Sequence, residues 1–373
     1  MIDNNVLITS FFAFAGALAI SFATTPVVKI FAKKVGAIDV PRDARRMHKT
    51  PIPRLGGLAI FFGFLISVLL FGRLESQMKS ILLGAVLIVL LGVADDIRPM
   101  KPLTKLAGQI LAALIPACSG VVVERLMNPF GEGRYFELGM LALPLTVIWI
   151  VGVTNAVNMI DGLDGLAVGV SAIASITVFT IALLVSEGYI AVVTAALAGA
   201  CIGFMPYNMN PAKIFMGDAG SMFLGYILAT ISIQGLFKFY VGISFAAPFI
   251  ILGLPIFDTS FAIVRRLAKG QSPMHADRGH VHHRLIDMGF DQKQSVAILY
   301  MLSALLGLAA VLLATSGEMK IIILAVAILA SALIGLSVTG HDQKKEKQKR
   351  EQTETPEQLE ARDKQEGQDG TKD

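Results

Sequence analysis

The chain contains 373 residues, of which 54% are hydrophobic and only 16% are charged, and its formal net charge is +4. Because a soluble domain carries roughly 25% charged residues, this composition and a mean hydropathy of +0.66 exclude an ordinary water-soluble protein. The two cysteines, Cys118 and Cys201, lie in apolar segments, so they predict neither a disulfide framework nor a zinc site.

Apolar segments of helical length follow one another along the chain. A helix needs about 20 apolar residues to cross a hydrocarbon core about 30 Å thick, and the segments lack the alternation of membrane β-strands. We predict an all-α polytopic membrane protein with about eleven transmembrane helices, the first of them a retained helix and not a signal peptide. The predicted helices cover approximately residues 7–31, 55–72, 79–95, 103–123, 139–158, 163–186, 188–207, 216–236, 240–264, 294–315 and 319–338.

Basic residues predict the orientation of these helices, because cytoplasmic loops of membrane proteins are rich in Lys and Arg. With the N-terminus outside, the inner loops carry 17 basic residues and the outer loops carry 6. We therefore predict an outside N-terminus and a cytoplasmic C-terminus. Residues 1–340 form the predicted membrane domain, and residues 341–373 form a charged, disordered or weakly helical tail. We favour a solvated anchor for this tail over contact with anionic headgroups.

Acidic residues gather on the predicted cytoplasmic side. Asp95 and Asp96 end the third segment, Asp161 and Asp164 lie between the fifth and sixth, and Asp218 opens the eighth. An Asp at the centre of a transmembrane helix costs about 2.5–3.5 kcal/mol, so these acids are tolerable only if they face a wet or ion-filled cavity. The one-sided distribution predicts a single polar site that faces the cytoplasm.

The adjacent acids Asp95 and Asp96 indicate a cation. Two neighbouring carboxylates repel each other unless a positive charge lies nearby, and Mg²⁺ or Mn²⁺ prefers oxygen ligands. Solvation at the membrane interface is the alternative for a lone pair of acids, but the other acids on the same side favour a metal. We predict Mg²⁺, with Mn²⁺ as the alternative, and the ligands Asp218, Asp95 and Asp96.

Two glycine-rich motifs place polar groups at predicted helix ends. MGDAGS, at 216–221, sets Asp218 at a helix start, where exposed amide groups would suit phosphate oxygens. NAVNMIDGLDGL, at 155–166, presents two amides and two acids at the mouth of two helices. Close packing of small residues is the alternative interpretation of either motif, and we predict packing or turn roles for Gly56 and Gly57.

Three histidines cluster in GHVHH, at 279–283, between two arginines. No HExxH or CxxC motif supports zinc, so we favour a phosphate or diphosphate clamp over a zinc site or a solvated loop. The predicted clamp consists of His280, His282, His283 and Arg284. Asp258, near the cytoplasmic end of the ninth segment, is left open between a site role and a packing role.

Together these motifs resemble those of the polyprenyl-phosphate N-acetylhexosamine-1-phosphate transferases. The resemblance covers about residues 10 to 338, in the family's order and spacing. PRLGG and HVHH differ from the PTMGG-like loop and HHH triplet of the enzyme that transfers phospho-muramoyl-pentapeptide, and are more similar to the branch that uses UDP-GlcNAc. The motifs are RMHKTPIPRLGG (46–57), VADD (93–96), NAVNMIDGLDGL (155–166), NMNPAKIFMGDAGS (208–221), PIFDTSFAIVRR (255–266) and HADRGHVHHRL (275–285).

The resemblance implies transfer of GlcNAc-1-phosphate from UDP-GlcNAc to undecaprenyl phosphate at the cytoplasmic face of a bacterial cell membrane, with release of UMP. This would be the first membrane step of an envelope glycan such as teichoic acid, and we favour a single displacement over a covalent intermediate. The partners would be both substrates and the bilayer, with no nucleic acid; a homodimer is left open. Phospho-MurNAc-pentapeptide transfer is the alternative reaction, and a lipid or sugar transporter is the alternative class.

The resemblance also assigns roles to individual residues. Asp218 would be the metal ligand, Asp95 and Asp96 would act on the lipid-phosphate and base side, and His282 would join them in catalysis. The residues implied in substrate binding are Lys49, Asn155, Asn158, Asp161, Asp164, Asn208, His280, His283 and Arg284.

Overall fold

A computed structural model describes residues 4–41, 50–127, 135–185, 187–237, 246–271 and 279–315. Six helices within these residues are long and apolar enough to cross a membrane, which confirms a mainly helical membrane protein. The predicted eleventh segment at 319–338, the tail at 341–373 and Lys49 lie outside the described residues.

Helices occupy the other ten predicted segments. The helices are α1 (Asn4–Lys34), α2 (Gly57–Phe71), α3 (Ser76–Ile97), α4 (Pro102–Cys118), α5 (Ala142–Ile160), α6 (Leu166–Leu184), α7 (Gly188–Asn208), α8 (Gly217–Ser232), α9 (Ala246–Ile251), α10 (Gly253–Ala268), α11 (Val281–Asp287) and α12 (Gln292–Thr315). A 3₁₀ turn at Gly139–Leu141 precedes α5, and a π-helical turn at Ile233–Phe237 extends α8.

One prediction about these elements was wrong, and one predicted inner loop contains a short helix. The ninth segment is not one helix, because the chain breaks at Leu252 between α9 and α10. Pro255 explains the break: it has no N–H to donate to the carbonyl group of Ile251, and its ring clashes with that group. The HVHH segment lies in the predicted last inner loop, where Val281–Asp287 forms the short helix α11 and His280 precedes it.

Helix α8 lies at the centre of the bundle and packs against α2, α3, α5 and α6. All its residues except Asp218 are buried, as expected for a helix that is apolar on every side. Small residues permit close approach: a Cβ on Gly57 would lie 2.1 Å from Cα of Gly220, and one on Gly92 would lie 2.3 Å from Cα of Ala219. The packing role predicted for Gly57 is therefore confirmed.

Short strands join the starts of α2 and α8. β1 (Ile38–Asp39) pairs antiparallel with β2 (Ile52–Pro53), and the chain after β2 continues alongside the residues before α8. There the amide of Phe215 donates to Pro53 at 2.8 Å, and the amide of Gly56 donates to Phe215 at 2.9 Å. A second hairpin, β3 (Arg125–Met127) and β4 (Tyr135–Glu137), precedes α5 at the other end of the bundle.

Candidate active site

A pocket of about 640 Å³ opens where α5 ends and α8 begins. It contains six of the predicted site residues: Asn158, Asp161, Asp164, Asn208, Asp218 and His283. Its polar lining also includes Asp39, Thr50 and Arg54 from the strand region and Asn210 and Gln292 from the other side. The predicted residues Asp95, Asp96, Asn155, His280, His282 and Arg284 do not line it.

Asp218 lies in the first turn of α8 and is held by two other helices. Its Oδ1 accepts a hydrogen bond from Nδ2 of Asn158 at 3.1 Å, and its Oδ2 accepts one from Nζ of Lys105 at 2.7 Å. The same ammonium group donates to Oδ2 of Asp95 at 3.0 Å. Lys105 therefore joins the acidic end of α3 to Asp218, and the structure brings Asp95 to the edge of the site without exposing it to the pocket.

Asp96 caps the N-terminus of α8 from the end of α3. Its carboxylate accepts hydrogen bonds from the amides of Asp218 and Ala219, both at 3.0 Å, and its side chain is fully buried. Gly217 allows this approach, because a Cβ there would lie 2.4 Å from Oδ2 of Asp96 and the φ angle is +71°. The prediction that exposed amides at this helix start would receive phosphate is therefore wrong for these two groups.

Asn155 lies one turn deeper than Asn158 on α5. Its Nδ2 donates to Oε1 of Gln109 at 2.7 Å, and Nε2 of Gln109 donates back to Oδ1 of Asn155 at 3.3 Å. Gln109 also contacts Sδ of Met222 at 3.2 Å. This amide pair ties α4 to α5 beneath the pocket, on the same helix that supplies Lys105.

The DGLDG turn supplies two pocket acids with different surroundings. Burial, and next the neighbouring charge of Asp218, raise the pKa of Asp161 to about 7. Asp164 instead accepts hydrogen bonds from Nδ2 of Asn210 and the amide of Ala212, both at 3.0 Å. Asp161 is thus a buried acid whose raised pKa a nearby cation would lower. Asp164 instead holds in place the segment that leads to α8.

Asn208 ends α7 beside that segment and is almost fully buried. Its Nδ2 donates to the carbonyl oxygen of Ile214 at 3.1 Å. Its Oδ1 has no hydrogen-bond partner among the described residues. An unsatisfied buried acceptor is costly, so a ligand that carries an N–H or O–H donor fits this position.

The three histidines at the start of α11 have different environments. Nδ1 of His280 lies 2.8 Å from Oδ2 of Asp258, whose Oδ1 accepts the amide of Val281, also at 2.8 Å. His282 is buried against Gly162, where a Cβ would lie 2.3 Å from its Nε2. Burial, and next the neighbouring His283, lower the pKa of His282 to about 3, so this ring is neutral near pH 7.

Of the predicted clamp, only His283 lines the pocket. The guanidinium of Arg284 lies over the ring of Phe261, with 6.0 Å between its Cζ atom and the ring centroid. The ring centroids of His282 and His283 are 4.3 Å apart, so the buried histidine supports the one at the pocket.

The chemistry of the acids fits a hard divalent cation. No three His, Cys, Asp or Glu side chains form a ready-made metal site within the described residues. Mg²⁺ does not require one, because it commonly takes one or two carboxylates together with substrate phosphates and water. Asp161 and Asp218 line one pocket, where burial and then the charge of Asp218 raise the pKa of Asp161, so a cation bound between them would favour the ionised form of both acids.

Three residues of the site were not predicted from the sequence. Arg54 and Lys105 served only to predict the orientation in the membrane, and Gln109 was not considered. Arg54 pairs with Asp96 and lines the pocket, and Lys105 bridges two acids. A signal was present, because Lys105 and Gln109 are four residues apart on a largely apolar helix and therefore share one face.

The fold and the pocket together define a polytopic membrane protein whose polar site opens at one end of its helix bundle. Residues 78–236 match the model of glycosyl transferase family 4. The chain is 40% identical over 302 residues to the probable undecaprenyl-phosphate N-acetylglucosaminyl 1-phosphate transferase of Bacillus subtilis, across 81% of this chain and 84% of that protein. The chain belongs to glycosyl transferase family 4, which confirms the resemblance carried by its motifs.

Two further relatives mark the range of the similarity. The decaprenyl-phosphate N-acetylglucosaminephosphotransferase of Mycobacterium tuberculosis is 34% identical, across 76% of this chain and 77% of that protein. The phospho-N-acetylmuramoyl-pentapeptide-transferase of Thermoanaerobacter pseudethanolicus is 32% identical, across 58% of this chain and 72% of that protein. The similarity therefore extends further along the chain for relatives that are named for N-acetylglucosamine.

Proposed function

We propose that this protein transfers GlcNAc-1-phosphate from UDP-GlcNAc to undecaprenyl phosphate, giving undecaprenyl-diphospho-GlcNAc and UMP. The observation that carries the proposal is the pocket in which Asp161, Asp218 and Arg54 converge. The names of the N-acetylglucosamine relatives support the sugar and the lipid phosphate. The lower coverage of the pentapeptide-transferase relative makes phospho-MurNAc-pentapeptide transfer the second candidate.

The residues of the pocket suit phosphoryl transfer, in which positioning and charge stabilisation carry most of the catalysis. Asp218 and Asp161 would hold Mg²⁺, with Mn²⁺ as the alternative, and the ion would neutralise charge on the diphosphate and on the leaving UMP. Asn158 and Lys105 hold the Asp218 carboxylate in place. We also predicted Asp95 and Asp96 as ligands. In the structure Asp95 would act on Asp218 through Lys105, and Asp96 would act on it through the amides at the start of α8.

The acceptor is itself a phosphate, so the reaction needs no nucleophile from the protein. The second proton of a phosphate monoester has a pKa of about 6, and its removal leaves a competent nucleophile. Asp95 remains our predicted base. For Asp95 to gain the proton, the ammonium group of Lys105, which donates to both Asp95 and Asp218, would pass one of its protons to Asp95 and take one from the acceptor phosphate in its place. Asn208 and His283 would contact the nucleotide sugar, as both line the pocket.

The proposed setting is a bacterial cytoplasmic membrane, with eleven transmembrane helices, the N-terminus outside and the pocket on the cytoplasmic face. The distribution of basic residues supports this orientation, and the donor is a soluble nucleotide sugar that enters from the cytoplasm. The product would begin an envelope glycan such as teichoic acid.

The test is release of UMP by the purified protein from UDP-GlcNAc, undecaprenyl phosphate and Mg²⁺, with UDP-MurNAc-pentapeptide as a parallel donor. We expect UMP from the first donor and little from the second. Reactions without lipid phosphate, and reactions with a chelator, are the controls. Failure to release UMP with any divalent cation would contradict the proposal and favour a transporter.

A further inference from the structure

The pocket contains a marked imbalance of charge for a site that would bind a diphosphate. Four carboxylates line it, from Asp39, Asp161, Asp164 and Asp218. Among the described lining residues, Arg54 is the only side chain with a permanent positive charge. A divalent cation would offset two of the four negative charges. Among the described residues of the pocket, Arg54 is then the side chain that can offset the remaining negative charge beside the phosphates of a nucleotide sugar.

The backbone holds Arg54 firmly beside this wall. Its amide donates to the carbonyl oxygen of Ala37 at 2.9 Å, and the residue forms a β-bridge with Phe215 just before α8. Ala37 follows the end of α1, and Phe215, which lines the pocket, precedes the start of α8. The backbone of Arg54 is therefore fixed relative to the start of α8, which carries Asp218.

Asp96 orients the guanidinium group. Nη2 of Arg54 lies 3.3 Å from Oδ1 of Asp96, whose side chain is fully buried, whereas 31% of the Arg54 side chain is exposed. Burial alone would lower the pKa of Arg54, but the carboxylates of Asp96 and then Asp218 raise it, so the group stays charged. A guanidinium has five N–H donors in a rigid plane. An ion pair at one edge can therefore fix the plane while another edge faces the pocket.

Within the part of the chain that the structure describes, three other groups that could bind a phosphate are directed elsewhere. Lys105 is hydrogen-bonded to Asp95 and Asp218 and does not line the pocket. Arg284 lies over Phe261. The amides at the start of α8 are occupied by Asp96.

We infer that Arg54, oriented by Asp96, binds the diphosphate of the nucleotide-sugar donor. This inference rests on the proposed function and extends it to a residue outside the predicted site. A guanidinium matches the geometry of phosphate oxygens in a bidentate arrangement that an ammonium group cannot reproduce. Asp96 is then a positioning residue, which acts on the donor through Arg54.

The experiment compares the affinities of UDP and uridine, in Mg²⁺, for the wild type, Arg54→Lys, Arg54→Gln and Asp96→Asn. Hydrogen bonds to charged groups contribute about 1.5–3 kcal/mol, so we expect Arg54→Gln to weaken UDP binding about 10- to 100-fold and uridine binding little. Arg54→Lys keeps the charge next to Asp96 and should fold, but should still lose about tenfold in UDP affinity. Asp96→Asn should also weaken UDP more than uridine, whereas a merely structural defect would weaken both.

Arg125→Gln is the matched control, because Arg125 pairs with Glu137 in the hairpin at the other end of the bundle and both are exposed. An unchanged ratio of UDP to uridine affinity in both Arg54 variants would overturn the inference. A rise in KM for undecaprenyl phosphate with that ratio unchanged would also overturn it, because the acceptor phosphate would then be the ligand. If the wild type bound neither UDP nor uridine, the proposed function itself would fail.

Discussion

Asp218 receives hydrogen bonds from two helices besides its own, from Asn158 on α5 and from Lys105 on α4. These donors keep the carboxylate turned towards the pocket in a helix whose other residues are all buried. The cation that we propose at Asp218 would therefore meet a carboxylate that donors from two other helices already hold in place. The role of Asp218 therefore depends on its charge more than on its size.

Asp218→Asn should keep the fold but nearly abolish turnover. We expect UMP release to fall by at least about 10²–10³-fold, the loss typical when one preorganised electrostatic contact is removed, and to need more Mg²⁺. The measurement is UMP release against Mg²⁺ concentration, with thermal unfolding as the check on folding. Glu137→Gln, an exposed acid of the distant hairpin, should be without effect. Full activity of Asp218→Asn at ordinary Mg²⁺ would exclude it as the main ligand.

His282 is buried, and its ring is neutral near pH 7. Its folded pKa of about 3 lies below the ordinary value of 6.5. Protons therefore bind preferentially to the unfolded chain between these two values. The stability that comes from the neutral ring is complete above about pH 6.5 and is lost as the pH falls, by up to about 1.4 kcal/mol per pH unit.

His282→Gln should therefore make the acid side of the stability profile less steep. The measurement is the midpoint of thermal unfolding in detergent from about pH 8 to about pH 5, for the wild type and the variant. His283→Gln tests the pocket instead, because His283 lines it: this variant should weaken the use of UDP-GlcNAc. Equal slopes for wild type and His282→Gln would show that the buried ring does not control this pH range.

At the scale of elements, Asp258 connects two helices that side-chain packing alone would leave loosely joined. One carboxylate oxygen accepts the amide of Val281 at the start of α11, and the other contacts the ring of His280. Asp258, whose role was open from sequence, therefore positions α11, and through it His283, beside the pocket.

Two replacements of Asp258 should show whether α11 is positioned by the hydrogen bonds of this side chain or by its negative charge. Asp258→Ala leaves the amide of Val281 and the ring of His280 without their partner, and we expect a loss of about 1–3 kcal/mol in stability. Asp258→Asn retains an acceptor for the amide and should lose less. Hydrogen exchange at the Val281 amide reports on the helix start directly. Wild-type protection of that amide in Asp258→Ala would contradict the positioning role.

Close packing of α3 against α8 also positions the site, because α8 carries Asp218. A Cβ on Gly92 would lie 2.3 Å from the backbone of Ala219, whereas one on Gly152, also within a helix, meets nothing within 4 Å. Gly92→Ala should thus cost about 1–3 kcal/mol, as overpacking does, and should reduce UMP release by displacing Asp218. Gly152→Ala is the matched control and should be neutral or mildly stabilising. Equal unfolding midpoints for the two variants would contradict this account.

The positions of the helices were predictable because an apolar run of sufficient length has few alternatives in a membrane. The break at Leu252 could also have been predicted, since Pro255 removes the hydrogen bond to Ile251. The cap that Asp96 provides for α8 could not, because its partners are 122 and 123 residues away and depend on which helices become neighbours. The local sequence pattern does not show which helices become neighbours. Arg54 was not predicted as a site residue for the same reason, because its partner Asp96 is distant in the sequence.

For the whole molecule, the pocket lies at the same end of the bundle as the end of α3, the end of α5 and the start of α8, and the β3–β4 hairpin lies at the other end. A charged nucleotide sugar does not cross a bilayer unaided, so the pocket end must face the compartment that holds the donor. The excess of basic residues in the loops at this end favours the cytoplasm. Orientation and function are therefore linked, and one experiment tests both.

The last prediction is that a reagent outside the cell reaches the hairpin and not the pocket end. In a Cys118→Ser background, which removes the exposed native thiol and leaves the buried Cys201, single cysteines would replace Arg125 in the hairpin and Lys101 between α3 and α4, both exposed positions. A membrane-impermeant thiol reagent should label Arg125→Cys in intact cells, and Lys101→Cys only after the membrane is permeabilised. The background protein should stay unlabelled throughout. Labelling of Lys101→Cys in intact cells would place the pocket outside, where UDP-GlcNAc is absent, and would contradict both the orientation and the donor.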